Sequence, residues 1–375
     1  MASTIPRTQI AAWLEKPEPG ARLKLRSDIE VPSPKEGEVL VKLEYTGFCH
    51  SDVHSIYGET PMSTDIAGHE GVGRVVELGS NVPAEMMNAR LGVKSVHLTL
   101  LCQFDAARLK LTIRNRPCKG GSTAHATRAR FALLIPRLAR TRSTRDGTQE
   151  ALSNYIVTPV KHATRIPPGL KSEIAAPLLC AGLTMYSALA KARLRPGDWV
   201  VIPGAGGGLG HLGVQIAAKR GYKVIAIDTG ESKREMCIKL GAAVFLDFKT
   251  NSIEEEVMRL TNGFGAHATI VTVGSDTAYD QALKLLRNLG TLVCIGLPKS
   301  GLGLPISPFM MCVRSLSIVG SSVGTAKEMD ELLEMAVKGD VKPEISVFEF
   351  DEINNIMEKL ARFEIGGRVV LRLPE

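Results

Sequence analysis

A chain of 375 residues exceeds what one small core organises and suits two domains of common size. Hydrophobic residues at 44% and charged residues at 23% are ordinary for a globular protein, and no apolar run approaches the roughly 18 residues that span a bilayer. The net charge of +7 sits in one place: residues 91–145 hold nine Arg and three Lys against one acid, Asp105, a local +11 that leaves −4 for the rest.

Basicity confined to one segment argues against a nucleic-acid partner. That segment offers only Phe104 and Phe131 for base stacking. The N-terminus, MASTIPRTQI, lacks the apolar stretch of a secretory signal, so a cytoplasmic protein with no membrane partner is expected. Seven scattered cysteines, an odd number, do not form a disulfide framework.

In chain order, EVLVKLEYTG (38–47) alternates apolar and polar residues as a half-buried strand does, and GVGRVVELG (71–79) is a second short strand. Residues 91–145 fit no pattern. LGVKSVHLTLL can form a strand and ARFALLIPRLAR a short helix broken at Pro136. SEIAAPLLCAGLTMYSALAKA, from residue 172, has helical apolar spacing. Strands then alternate with helices such as ESKREMCIKL and IEEEVMRLT. The strand candidates are 198–203, 223–228, 243–248, 268–273, 290–296 and 315–320. Such regular alternation implies an α/β fold with a parallel, doubly wound sheet. The tail adds two helical stretches and a last strand, GRVVLRL (367–373). Cys237, Cys294 and Cys312 lie in regular patterns and are expected to pack inside, whereas His211 reads as a solvated helix residue.

VVIPGAGGGLGHLGVQIAAKRGYKVIAID joins a buried strand, a glycine turn, a helix and a second strand ending in an acid. Gly204, Gly207, Gly208, Leu209 and Gly210 allow the backbone to approach a pyrophosphate at a helix N-terminus. Asp228 suits the ribose hydroxyls of adenosine and would repel a 2′-phosphate, which favours NAD over NADP. Lys233 is placed to reach the adenosine. A glycine loop needed only for packing would not carry all these parts in order.

GFCHSDVHSIYG (47–58) and AGHEGVGRV (67–75) concentrate groups fit for metal and proton chemistry. Spacing alone cannot join them to Cys180, which by itself, in an apolar helix, reads more often as a plain core residue. Cys-His-Ser-Asp, Gly-His-Glu-Gly, Pro-Leu-Leu-Cys-Ala-Gly and Gly-Ala-Gly-Gly-Gly-Leu-Gly, in this order, resemble the motifs of zinc-containing medium-chain alcohol dehydrogenases, nearest the tetrameric yeast-type branch. The resemblance covers 1–90 and 147–375. It implies a GroES-like β-rich catalytic domain at 1–175 and 322–375, and a Rossmann domain at 176–321.

It also implies one catalytic zinc on Cys49, His69 and Cys180, with Glu70 able to approach the metal and Asp52 orienting His69. By the same resemblance Ser51 meets the substrate oxygen and His54 passes its proton to solvent. His50 and Arg368 match cofactor-phosphate contacts, and Ile295 and Leu297 the nicotinamide-facing turn. The implied reaction is hydride exchange between a small primary alcohol and NAD, giving the aldehyde, in a homotetramer.

The resemblance stops near Leu91 and resumes near Gly147. Four closely spaced cysteines of a structural-zinc lobe are missing there. Cys102 and Cys118, with His97 and His125, are too dispersed for a compact tetrahedral site, so no structural zinc is expected. A shifted reading frame or altered splicing would account for the segment. A catalytically silent NAD-binding protein is the alternative reading.

Overall fold

The computed structural model describes residues 5–60, 62, 64–94, 151–298 and 303–375. The expectations for 95–145, including His97, Cys102, Cys118 and His125, lie outside the described residues.

Two large sheets organise the rest. The first takes six parallel strands in the order Val244–Asp247, Lys223–Asp228, Trp199–Pro203, Ala266–Val271, Leu286–Cys294 and Ser317–Gly320. All six were anticipated, and their order reverses beside Trp199–Pro203, which opens the crevice where such sheets bind ligands. Val200, Val201, Ile202, Val224 and Ile225 are fully buried, as expected of parallel strands with helices on both faces.

The second sheet has seven strands. Six run in the order Ile345–Glu349, Arg368–Arg372, Glu38–Phe48, Glu70–Leu78, Arg90–Lys94 and Thr164–Arg165, and Tyr155–Pro159 pairs with Glu38–Phe48. Glu38–Phe48 was expected to be buried on one face only. Instead Val39, Leu40 and Val41 are all buried, because the strand is central and helix Ser172–Pro177 packs on it.

Helical structure runs continuously from Ser172 to Lys191. It is apolar and long enough to match a membrane span, contrary to the expectation that no segment approaches one, but 78% of its apolar window is buried inside the protein. Leu178, Leu179, Leu183, Met185 and Leu189 instead fill the largest core cluster. Burying each such side chain contributes roughly 1.5–3 kcal/mol. Pro177 distorts this stretch without breaking it. Lacking an N–H and crowding the preceding turn, it is followed by one π turn, Leu178–Gly182.

Candidate metal centre and dinucleotide site

Strand register assembles the metal centre. Val369 pairs with Phe48, so Arg368 and Cys49 emerge side by side at the sheet's end. Thr46 pairs with Gly71 in the neighbouring strand, which sets Glu70 beside Gly47; a Cβ on Gly47 would overlap Glu70 Oε2. The π turn supplies the remaining group. Leu178, Leu179, Ala181 and Gly182 are buried in it, while Cys180 keeps partial exposure towards the sheet end.

One donor atom from each of Cys49, His69, Glu70 and Cys180 lies within 4.8 Å of every other. His69 Nε2 is 3.3 Å from Cys180 Sγ and 3.7 Å from Glu70 Oε1, and Ser51 Oγ stands 3.4 Å from the same nitrogen. The other ring nitrogen, Nδ1, bonds Asp52 Oδ1 at 2.9 Å. Asp52 Oδ2 accepts the Cys49 amide at 2.9 Å, closing a capping box on helix His50–Ile56. Two donors are thus fixed through one carboxylate.

The electrostatics are those of a donor set. A hydrogen bond from the Cys180 thiol pulls Cys49 well below its ordinary range against burial, with help from Arg368 and His69. Donating that bond, together with burial, lifts Cys180 well above its own. Burial works to lower His69, but the Asp52 charge and hydrogen bond raise it well above the usual value. Burial pushes Glu70 up to about 7 against the opposing Arg368 charge. Arg368 Nη2 donates to Glu70 Oε1 and Nη1 lies 3.5 Å from Cys49 Sγ, while buried Glu70 Oε2 has no partner among the described residues. Two sulfurs, an imidazole held by a carboxylate and a spare carboxylate oxygen fit zinc in chemistry and spacing.

Ser51 and His54 share helix His50–Ile56. His54 Nδ1 bonds the Glu59 carboxylate, a partner the sequence reading missed because nothing in the motif marks it. His50 packs edge-on against His54 with ring centroids 4.9 Å apart and stacks on Phe363 at 4.8 Å.

The dinucleotide turn follows strand Trp199–Pro203. Gly204 has φ +79°, and a Cβ at Gly210 would overlap the Gly204 carbonyl, so both positions require glycine. Gly207 N–H donates to that carbonyl at 3.0 Å, Gly208 borders Arg368, and Leu209 precedes helix Gly210–Lys219. Asp228 ends the adjacent strand. It accepts the Gly206 amide at 2.9 Å and pairs with Lys233 Nζ at 2.7 Å, so Lys233 lies on the acid itself. Across the crevice, the turn at Ile295 and exposed Leu297 is held by Tyr279, whose hydroxyl donates to the Gly296 carbonyl at 2.7 Å.

Two expectations fail. His211 is fully buried rather than solvated, because its ring bonds Gly207 on one side and Glu344 on the other. Cys312 is exposed, on a helix, Pro308–Arg314, that has no buried residue; Cys237 is fully buried and Cys294 partly so. Helix Pro308–Arg314 is apolar in sequence without facing the core, so its periodicity misleads.

A nucleotide-binding sheet beside a buried thiol–imidazole–carboxylate cluster defines a metal-dependent dehydrogenase. Residues 35–168 match the family described as alcohol dehydrogenase GroES-like domain, and 208–338 match zinc-binding dehydrogenase. An alcohol dehydrogenase of Schizosaccharomyces pombe is 37% identical over 99% of both chains. The alcohol dehydrogenase of Aeropyrum pernix superposes with a TM-score of 0.76 at 27% identity, covering 97% of this chain and 99% of that one. Acetophenone reductase from Geotrichum candidum, in complex with NAD, gives 0.74 at 26% identity, covering 99% and 98%. The chain belongs to the zinc-containing medium-chain alcohol dehydrogenase family.

Proposed function

We propose that this protein is an NAD-dependent alcohol dehydrogenase that interconverts a primary alcohol and its aldehyde on one catalytic zinc. The meeting of Cys49, His69, Glu70 and Cys180 at one sheet end, joined through Arg368 to the glycine turn, carries this reading. Cys49, His69 and Cys180 would hold the metal, with Glu70 as the alternative donor. Zinc there lowers the pKa of an alcohol, and NAD supplies the hydride acceptor.

The chain's own groups do the rest. Asp52 fixes the His69 ring so that Nε2 faces the cluster. The Ser51 hydroxyl holds the substrate proton, and His54 hands it to solvent with Glu59 on its other nitrogen. The glycine turn and Asp228 bind diphosphate and ribose, His50 and Arg368 contact phosphate, and Ile295 and Leu297 line the nicotinamide. Residues 1–175 with 322–375 form the catalytic domain and 176–321 the cofactor domain. Exposed Phe309, Met310 and Val313 offer apolar surface that a second copy would cover, in keeping with a cytoplasmic homotetramer.

The test is NADH formation with primary and secondary alcohols, alongside NADH binding by fluorescence. Turnover is expected with primary alcohols and NAD. NADH binding with turnover of no alcohol would replace this reading by a silent cofactor-binding protein. Asp52→Asn is expected to lower zinc affinity about 10–100-fold, because it loosens two ligands at once; competition against a chelator measures it, and unchanged affinity would remove Asp52 from the centre.

A further inference from the structure

Helix Gly210–Lys219 presents His211, Gln215 and Lys219 one turn apart, and each meets an alternate residue of segment 340–344. His211 Nε2 accepts the Glu344 amide at 3.2 Å. Gln215 accepts the Lys342 amide at 2.8 Å through Oε1 and donates Nε2 to the Lys342 carbonyl at 3.0 Å. Lys219 Nζ lies 2.8 Å from Asp340 Oδ1. Four helical residues rise about 6 Å and two extended residues about 6.6 Å, so the repeats stay in step across three contacts. Pro343 keeps Lys342 extended and leaves no amide of its own to satisfy.

This ladder is anchored in both sites. His211 Nδ1 donates to the Gly207 carbonyl at 2.8 Å, the same oxygen that accepts the His211 amide at 3.2 Å. With one ring nitrogen donating and the other accepting, the imidazole is neutral with its proton on Nδ1, and burial, which drops its pKa to about 4, keeps it so. On the other side of the same rung the Glu344 carbonyl accepts the Arg368 amide at 2.8 Å, and the Arg368 guanidinium reaches Glu70 and Cys49. An unbroken path therefore runs from Gly207 through His211, Glu344 and Arg368 to Glu70.

We propose that His211 and Gln215 are positioning residues that clasp the phosphate-binding turn to segment 340–344, setting the turn and Arg368 as one unit for cofactor binding. The proposal rests on the reading of Gly204–Gly210 as the NAD turn. Replacing either side chain by an apolar one takes the partner from the Lys342 or Glu344 backbone and frees the turn to shift.

The experiment uses the zinc-loaded full chain and compares wild type with His211→Leu, Gln215→Leu and His211→Gln. NADH affinity is read by fluorescence titration, and KM for NAD and for alcohol from initial rates. Both leucine variants are expected to weaken NADH and raise KM for NAD about tenfold, with KM for alcohol at saturating NAD little changed. His211→Gln, which keeps a hydrogen-bonding amide, should recover part of the loss. A purely structural role would lower thermal stability without separating the two KM values, and that outcome overturns the clasp. If His211→Leu fails to fold, Gln215→Leu decides by the same split. Equal NADH affinity in wild type and the leucine variants would sink the clasp and leave the cofactor reading intact. A wild-type chain that binds no NADH would sink both.

Discussion

Replacing Cys180 by alanine is expected to lower kcat/KM for alcohol on the order of 10³-fold and to leave the purified chain without its catalytic metal. The magnitude follows from the several kcal/mol a Lewis acid contributes where charge develops on oxygen. The change is mild for the fold, since Cys180 alone in its π turn keeps partial exposure, and Leu178, Leu179 and Ala181 carry the packing. The glycine turn and Asp228 are untouched, so NADH binding should persist while turnover falls. Zinc per chain after exhaustive dialysis, read with NADH fluorescence on the same sample, checks both halves. A variant that keeps zinc and turnover would remove Cys180 from the centre. One that loses NADH binding as well would mean the fold had suffered instead.

The cofactor half of this chain was legible because its strands are buried on both faces and read as short, nearly continuous apolar runs. The strand Ile345–Glu349 was not, since it lies at a sheet edge and its residues are half or fully exposed, leaving no apolar period to detect. The motifs around Cys49 and His69 are local in sequence and could be recognised there. Their union with Cys180 depends on antiparallel register and on a π turn that follows Pro177, and neither leaves a periodic trace. Only the family resemblance connected them. His211 was misread for the same reason: its partner, Glu344, lies 133 residues further on, and a polar residue without a visible partner looks solvated. The spacing of His211, Gln215 and Lys219 was a usable signal, a polar stripe on a helix whose other faces are apolar.

Substituting Asp228 should reduce the preference for NAD over NADP by about 10²-fold or more, measured as the ratio of kcat/KM values. The acid sits at the carboxyl end of strand Lys223–Asp228, is buried, and accepts the amides of Gly206 and Thr229 at 2.9 Å each. Hydrogen bonds from ribose hydroxyls to such a charged group contribute roughly 1.5–3 kcal/mol, or about 10- to 150-fold in the NAD reaction alone. The second contribution is relief of repulsion. With the carboxylate gone, the Lys233 ammonium, now 2.7 Å from Asp228, becomes free to pair with a 2′-phosphate, so NADP should gain as NAD loses. Two variants separate charge from architecture. Asp228→Asn keeps an acceptor for the Gly206 amide while it removes the charge and the second acceptor oxygen that serves Thr229 and Lys233, whereas Asp228→Ser shortens the side chain and leaves the buried Gly206 amide without its partner. If charge governs the choice, Asp228→Asn alone moves the ratio most of the way, with little loss of thermal stability. If the glycine turn merely needs an acceptor, Asp228→Asn stays near wild type and only Asp228→Ser weakens both cofactors together, which would take the specificity role away from Asp228 and leave it a brace for the turn.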